Sequence, residues 1–114
     1  MLPLSNRLKR ERDFARLFKA ARAFRAPGLT IKLAPNGLPV TRVGFVVGTK
    51  VSKSAVVRNL LKRRLREIMR LLMPKIRAGA DVAIITSAES AKLDFSGLRE
   101  RLTTLVAKSG LMGR

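Results

Sequence analysis

The stretch "VGFVVGTKVSKSAVVRNLLKRRLREIMR", residues 43–70, changes its periodicity halfway along. From Arg42 to Thr49 the chain is β-branched and apolar, as a buried strand requires. From about residue 53 the leucines and valines recur at helical spacing until Pro74 stops them. Setting Arg58 to zero puts Lys62 at about 40°, Arg66 at about 80°, Asn59 at about 100°, Arg70 at about 120° and Arg63 at about 140°. Val57, Leu61, Leu65, Ile68 and Leu72 gather between about 260° and 340°. One face of this helix is cationic with an asparagine in its middle, and the other is apolar and fit to cover a sheet. Arg64, at about 240°, has to snorkel from the edge of the core.

Working outward, "NRLKRERDFARLFKAAR", residues 6–22, reads as a first helix. Phe14, Leu17, Phe18 and Ala21 share its apolar face, and Pro27-Gly28 ends the region. "LTIKLA", 29–34, alternates like a strand, and "PNGLP", 35–39, carries an Asn-Gly turn signal. These features predict an antiparallel hairpin of 29–34 with 42–49. "ADVAIITS", 80–87, is nearly all apolar and predicts a central strand buried on both faces. Asp94 is placed as an N-cap, with Leu93 and Leu98 as a hydrophobic staple, ahead of a last helix carrying Leu98, Leu102, Leu105 and Val106. The expected order is α-β-β-α-β-α, an α+β sandwich in one domain over 1–114 with an ordered core of about 6–109.

The net charge is +18, from 25 basic and 7 acidic residues, which points to a polyanionic partner. There is no cysteine, hence no disulfide and no thiolate metal site. The start, "MLPLSNRLKRERDF", has no apolar run long enough for a signal peptide, and no stretch is long enough to span a membrane. The expectation is a cytoplasmic protein. A membrane-surface helix would spend its apolar side on lipid, whereas here that side is needed by the sheet. Like charges at i, i+4 cost stability, and arginine forks bind phosphates in pairs. Nucleic acid is the better partner.

The motif Ala-Val-x-Arg-Asn-x-x-Lys-Arg-x-x-Arg-Glu, matched by Ala55, Val56, Arg58, Asn59, Lys62, Arg63, Arg66 and Glu67 after the basic turn with Lys50 and Lys53, resembles the signature of the bacterial ribonuclease P protein component. The opening helix, with its Asp-Phe pair and a second Phe four residues later, is similar to that family too. The resemblance runs from about Asn6 to Leu105. It implies a fold like the second domain of ribosomal protein S5, with a left-handed β-α-β crossover around the basic helix. It also implies a catalytic RNA partner and removal of the 5′ leader from precursor tRNA, with Mg²⁺ bound mainly by the RNA and no small-molecule cofactor. RNA-binding residues would be Lys50, Lys53, Arg58, Asn59, Lys62, Arg63, Arg66 and Arg70. The leader would lie in a cleft beside the first helix, against Phe14, Phe18, Arg16 and Lys32. The family usually carries a third basic residue where this chain has Leu60, which removes one contact that Arg64 partly replaces. A ribosomal protein or general RNA chaperone is the alternative reading, and it would not need this spacing.

Catalysis by the polypeptide itself is not expected. There is no histidine, and the acids Glu11, Asp13, Glu67, Asp81, Glu89, Asp94 and Glu100 are scattered. Glu11 and Asp13 lie about 200° apart on a helix and cannot share a metal. Asp81 and Asp94 have structural roles, as a strand opener and a cap. No glycine-rich phosphate loop is present. In a chain this poor in aromatics, the Phe14/Phe18 pair suits base stacking, with Phe14 the more exposed ring and Phe18 the deeper. Phe45 and Phe95 are expected in the core.

Overall fold

The computed structural model describes residues 6–20 and 22–112. Helix α1 (Glu11–Ala20) is followed by strands β1 (Arg22–Ala26), β2 (Leu29–Pro35) and β3 (Arg42–Val46), then helix α2 (Ala55–Leu72), strand β4 (Ala80–Thr86) and helix α3 (Phe95–Lys108). The strands form one sheet in the order β1-β2-β4-β3. The fold is the α+β sandwich expected, with one more strand than the sequence suggested.

β4 decides the topology. Its Val82, Ala83 and Ile84 are wholly buried, so both of its edges and both of its faces need partners. It therefore sits between β2, which it pairs antiparallel, and β3, which it pairs parallel through the α2 crossover. The predicted β2–β3 hairpin does not form, because β4 occupies the slot between them. The Asn-Gly segment is a connection rather than a hairpin turn: Asn36 Oδ1 accepts from Leu38 N at 2.8 Å and its Nδ2 donates to Val40 O at 3.1 Å. The real hairpin is β1–β2, and Pro27-Gly28 is its turn, with Gly28 at the positive φ of 88° that a type II turn demands. "RAFRA" escaped notice because Phe24 is its only large apolar residue.

The first helix is also shorter than its periodicity suggested. Residues 7–10 are not helical and pass the open edge of β3: Leu8 N donates to Val43 O at 2.9 Å, Arg7 bridges Val43, and Asn6 Nδ2 reaches Thr41 O at 2.8 Å. Arg22 belongs to β1, and Ala21 lies outside the described residues. Alternation along the strands sends Leu29, Ile31, Val43, Val82 and Ile84 to one face, where Leu61, Leu65, Ile68 and Met69 of α2 and Leu98, Leu102, Leu105 and Val106 of α3 complete the main core. α1 covers the opposite face with a smaller core of Leu8, Leu17 and Ala83, flanked by Phe14, Ala34 and Ile85.

Both long helices are capped as their sequences require. Ser54 Oγ accepts from Val57 N at 3.3 Å, and Asp94 Oδ1 accepts from Gly97 N at 2.8 Å. Pro74 closes α2 in a short 3₁₀ turn, Met73–Lys75. One expected core residue is outside: the first turn of α2 overhangs the sheet, leaving Val57 exposed beside Val56. Among the described residues no helix is long and apolar enough to cross a membrane.

Candidate nucleic-acid interface

A cleft of about 400 Å³ opens at the β3 edge of the sheet. Leu8 and Phe14, Val43 and Phe45 give it apolar walls, and Arg7, Lys9, Lys62 and Arg66 ring it with positive charge. Gly44 makes the floor. A Cβ there would lie 2.2 Å from Phe14 Cζ, so only glycine lets the ring settle on the strand. Sequence reasoning placed Phe14 here but assigned Lys62 and Arg66 to a separate surface. The structure brings them together, and adds Arg7 and Lys9, which the sequence had not singled out, and Phe45, which had been expected only in the core. The alternation of Arg7, Leu8 and Lys9 was the available signal for a non-helical segment beside β3.

The order of the two rings is the reverse of expectation. Phe18 is 42% exposed, whereas Phe14 is half-buried over Gly44, with ring centroids 6.2 Å apart. α1 packs through Leu17, which turns Phe18 outward. Lys32 on β2 sits 5.3 Å over the Phe18 ring and donates from Nζ to Phe18 O at 3.5 Å, so the two form one cation–aromatic surface on the α1 side. Phe45 and Phe95 flank the main core, as does Phe24, with the Arg22 guanidinium 5.3 Å over its ring.

Beneath α1 lies a charge cluster invisible in the sequence. Asp81, with only 1% of its side chain exposed, accepts two bonds from Arg42 at 2.8 and 2.7 Å, one from Arg16 at 3.0 Å and one from Asn36 at 3.0 Å. Burial alone would raise its carboxyl, but the hydrogen bonds from Arg42 and Asn36 and the charges of Arg42 and Arg16 hold it below the usual carboxylate range. The Asp81 hydrogen bond likewise raises Arg42. Asp13 adds a longer contact to Arg42, at 3.6 Å. Arg16, expected in the leader cleft, is thus partly engaged in tying α1 to the sheet.

On α2, Arg63, Arg66 and Asn59 are exposed and Lys62 is half-buried in the cleft. Arg58 donates to Ser52 O at 2.9 Å, bracing the loop that carries the exposed Lys50 and Lys53. Arg70 is bound at 2.8 and 2.6 Å by Glu67, whose carboxyl this hydrogen bond lowers, so the cationic face is not wholly free of acid. Leu60 is 38% exposed, and Arg64 borders a small hollow with Leu61 and Leu93, snorkelling as expected. As for a metal, Asp13, Asp81 and Glu67 are all engaged by guanidinium groups, so these carboxylates do not suit Mg²⁺.

The sequence model of the Ribonuclease P family matches residues 2–110. The ribonuclease P protein component of Pseudanabaena sp. is 35% identical over 113 residues, which cover 98% of this chain and 97% of that protein. The component of Symbiobacterium thermophilum is 39% identical over 110 residues, 95% of this chain and 94% of that one. Among solved structures, the RNase P protein from Thermotoga maritima is similar with a TM-score of 0.81 at 32% identity, covering 90% of this chain and 96% of that one. The Staphylococcus aureus RNase P protein shares the fold, with a TM-score of 0.88 at 21% identity over 95% of this chain and 98% of that one. With this breadth of agreement in sequence and fold, the chain belongs to the ribonuclease P protein family and is the protein subunit of that endoribonuclease.

Proposed function

We propose that this subunit binds the catalytic RNA of ribonuclease P through the outer face of α2 and takes the 5′ leader of precursor tRNA along α1. Arg58, Asn59, Lys62, Arg63, Arg66 and Arg70, with Lys50 and Lys53 on the preceding loop, meet the phosphates of the catalytic RNA. Phe18 and Lys32, with Arg16 beside them, receive the leader, which continues past Phe14 into the cleft rimmed by Lys62 and Arg66. Mg²⁺ is held mainly by the RNA, and hydrolysis belongs to the RNA, so the isolated polypeptide is inactive. The cytoplasm is where such a complex works. The ribosomal or chaperone alternative gains no support from the family relationship.

The observation that carries this reading is the cleft itself, in which cations of α2 and an aromatic of α1 line one apolar-walled groove. The test is to reconstitute the holoenzyme and measure binding of precursor and mature tRNA, and of the catalytic RNA, at one salt concentration. Stacking is worth ~1–3 kcal/mol per base, so Phe18→Ala should weaken precursor tRNA binding ~5- to 100-fold and spare the other two ligands. Phe14→Ala should show the same preference and also lower Tm, because its ring is packed on Gly44. Equal losses across all three ligands would show that α1 carries no separate leader site.

Leu60 gives a second test. Because it is exposed, Leu60→Arg should fold with Tm nearly unchanged and restore the basic residue that the family usually carries there. Affinity for the catalytic RNA should rise ~3- to 10-fold, the worth of one added exposed contact at about 1 kcal/mol. An unchanged affinity would mean that this turn of α2 does not touch the RNA.

A further inference from the structure

A second groove, of about 460 Å³, shares no lining residue with the first. It opens where the start of β1, the end of β2 and the turn before β4 meet the last turn of α3. Arg22, Arg77 and Lys108 supply its charge, and Leu33, Pro35 and Leu111 its apolar surface. Its volume lies within the roughly 300–1,000 Å³ of ligand clefts. Among the described residues none of the three cations is paired with a carboxylate: Asp13, Asp81 and Glu67 are spent on Arg16, Arg42 and Arg70, and no described acidic side chain lines the groove.

Holding like charges together without a counter-charge costs stability, and here the backbone holds them firmly. Arg77 N donates to Leu111 O at 2.8 Å, and Thr41 Oγ1 donates to Arg77 O. Asn36 N donates to Gly79 O at 2.9 Å, closing the turn in which Gly79 takes a φ of 97°. The frame is therefore built. What it presents, a cationic rim over an apolar surface, is the chemistry of the first cleft without its aromatic rings.

We propose that this groove is a second RNA-binding site, taking one or two nucleotides of a single-stranded segment. Phosphates meet Arg22, Arg77 and Lys108, and a base or ribose lies against Leu33, Pro35 and Leu111. The proposal rests on the RNA-binding role argued above. With no aromatic platform, the groove binds through phosphate and is indifferent to sequence, so its signature is salt dependence rather than base preference. The strand comes either from the catalytic RNA or from the substrate.

The experiment uses the reconstituted holoenzyme and two double variants, Arg77→Ala/Lys108→Ala in the groove and Lys92→Ala/Arg99→Ala as an equal charge loss on exposed residues outside both grooves. Affinity is measured against salt in two arms, subunit with catalytic RNA and holoenzyme with precursor tRNA. The groove variant should lower the slope of log K against log salt by about 1.4 in one arm, at ~0.7 per single-strand phosphate contact. The arm affected identifies the strand. The outer variant should change neither slope, and Arg77→Lys/Lys108→Arg should restore the groove's. If both Ala variants behave alike in both arms, the groove is a solvated patch and the proposal falls. Should the Ala pair lower Tm, Arg77→Gln/Lys108→Gln replaces it under the same criterion. A failure here with the α2 face still required would leave the proposed function standing.

Discussion

Replacing Asp81 by Asn should cost the fold roughly 3 kcal/mol, the lower end of what removing one partner of a buried ion pair costs. The lower end applies because its partners are partly solvated, with 22% of the Arg42 side chain and 58% of the Arg16 side chain exposed. For a domain of this size, that is a fall in Tm of roughly 10–15 °C. The loss arises because Arg42 and Arg16 are left without the Asp81 carboxylate they share, and α1 loses its Arg16 tie to β4, keeping the longer Asp13–Arg42 contact to β3. Arg16→Gln should cost less than 1 kcal/mol or so, as exposed pairs do. A double-mutant cycle between Asp81 and Arg42 should return a coupling well above that between Asp81 and Arg16.

The same carboxylate gives a pH dependence of definite sign. Its folded pKa is depressed, so the folded state holds fewer protons than the unfolded chain below about pH 5. Its contribution is complete above the unfolded value of ~3.9 and is lost as pH falls from there through the folded value. Wild type should therefore lose stability more steeply than Asp81→Asn on acidification, and the two curves should converge. Parallel curves in denaturant titrations from pH 6 downward would show that Asp81 is not depressed.

Neutralising Lys62, Arg63 and Arg66 together as Gln should weaken binding to the catalytic RNA on the order of a hundredfold, at about 1 kcal/mol per contact. The slope of log K against log salt should fall by about 2–3, for three phosphates released. Tm should hold or rise slightly, since among the described residues none of the three has a carboxylate partner and their mutual repulsion is relieved. Arg58 is left out of this variant deliberately. Its bond to Ser52 O braces the loop carrying Lys50 and Lys53, so Arg58→Ala should loosen that loop as well as remove a charge. A triple variant with wild-type affinity and slope would move the RNA off this face.

The elements governed by local chemistry were legible in the sequence. α2 and α3 begin at Ser54 and Asp94 because those side chains satisfy orphan amides, and β4 is central because its run of Val82, Ala83 and Ile84 is apolar and fit to be buried on both faces. The division of α2 into a core face and a basic face follows from periodicity alone, apart from Val57. The basic residues of that face and the family motif were visible for the same reason, being set by spacing within one helix.

What the sequence could not settle was decided by competition between segments. Asn36-Gly37 is a good turn signal, yet β4, arriving some forty residues later, displaced β3 from β2, because burying its two edges outweighs a local turn preference. Residues 7–10 read as part of the first helix but are not helical, since the free edge of β3 offers Arg7 and Leu8 a backbone partner in Val43. The order of Phe14 and Phe18 followed from Gly44, whose missing side chain lies thirty residues away and makes the seat for the Phe14 ring. Asp81 and Arg42 look like scattered charges in the chain and become a buried cluster only when β3 and β4 pair in register. The cleft belongs to the same class: Lys62 and Arg66 come from the α2 face of the sandwich and Phe14 from the α1 face, so it exists only once the sheet edge brings them together.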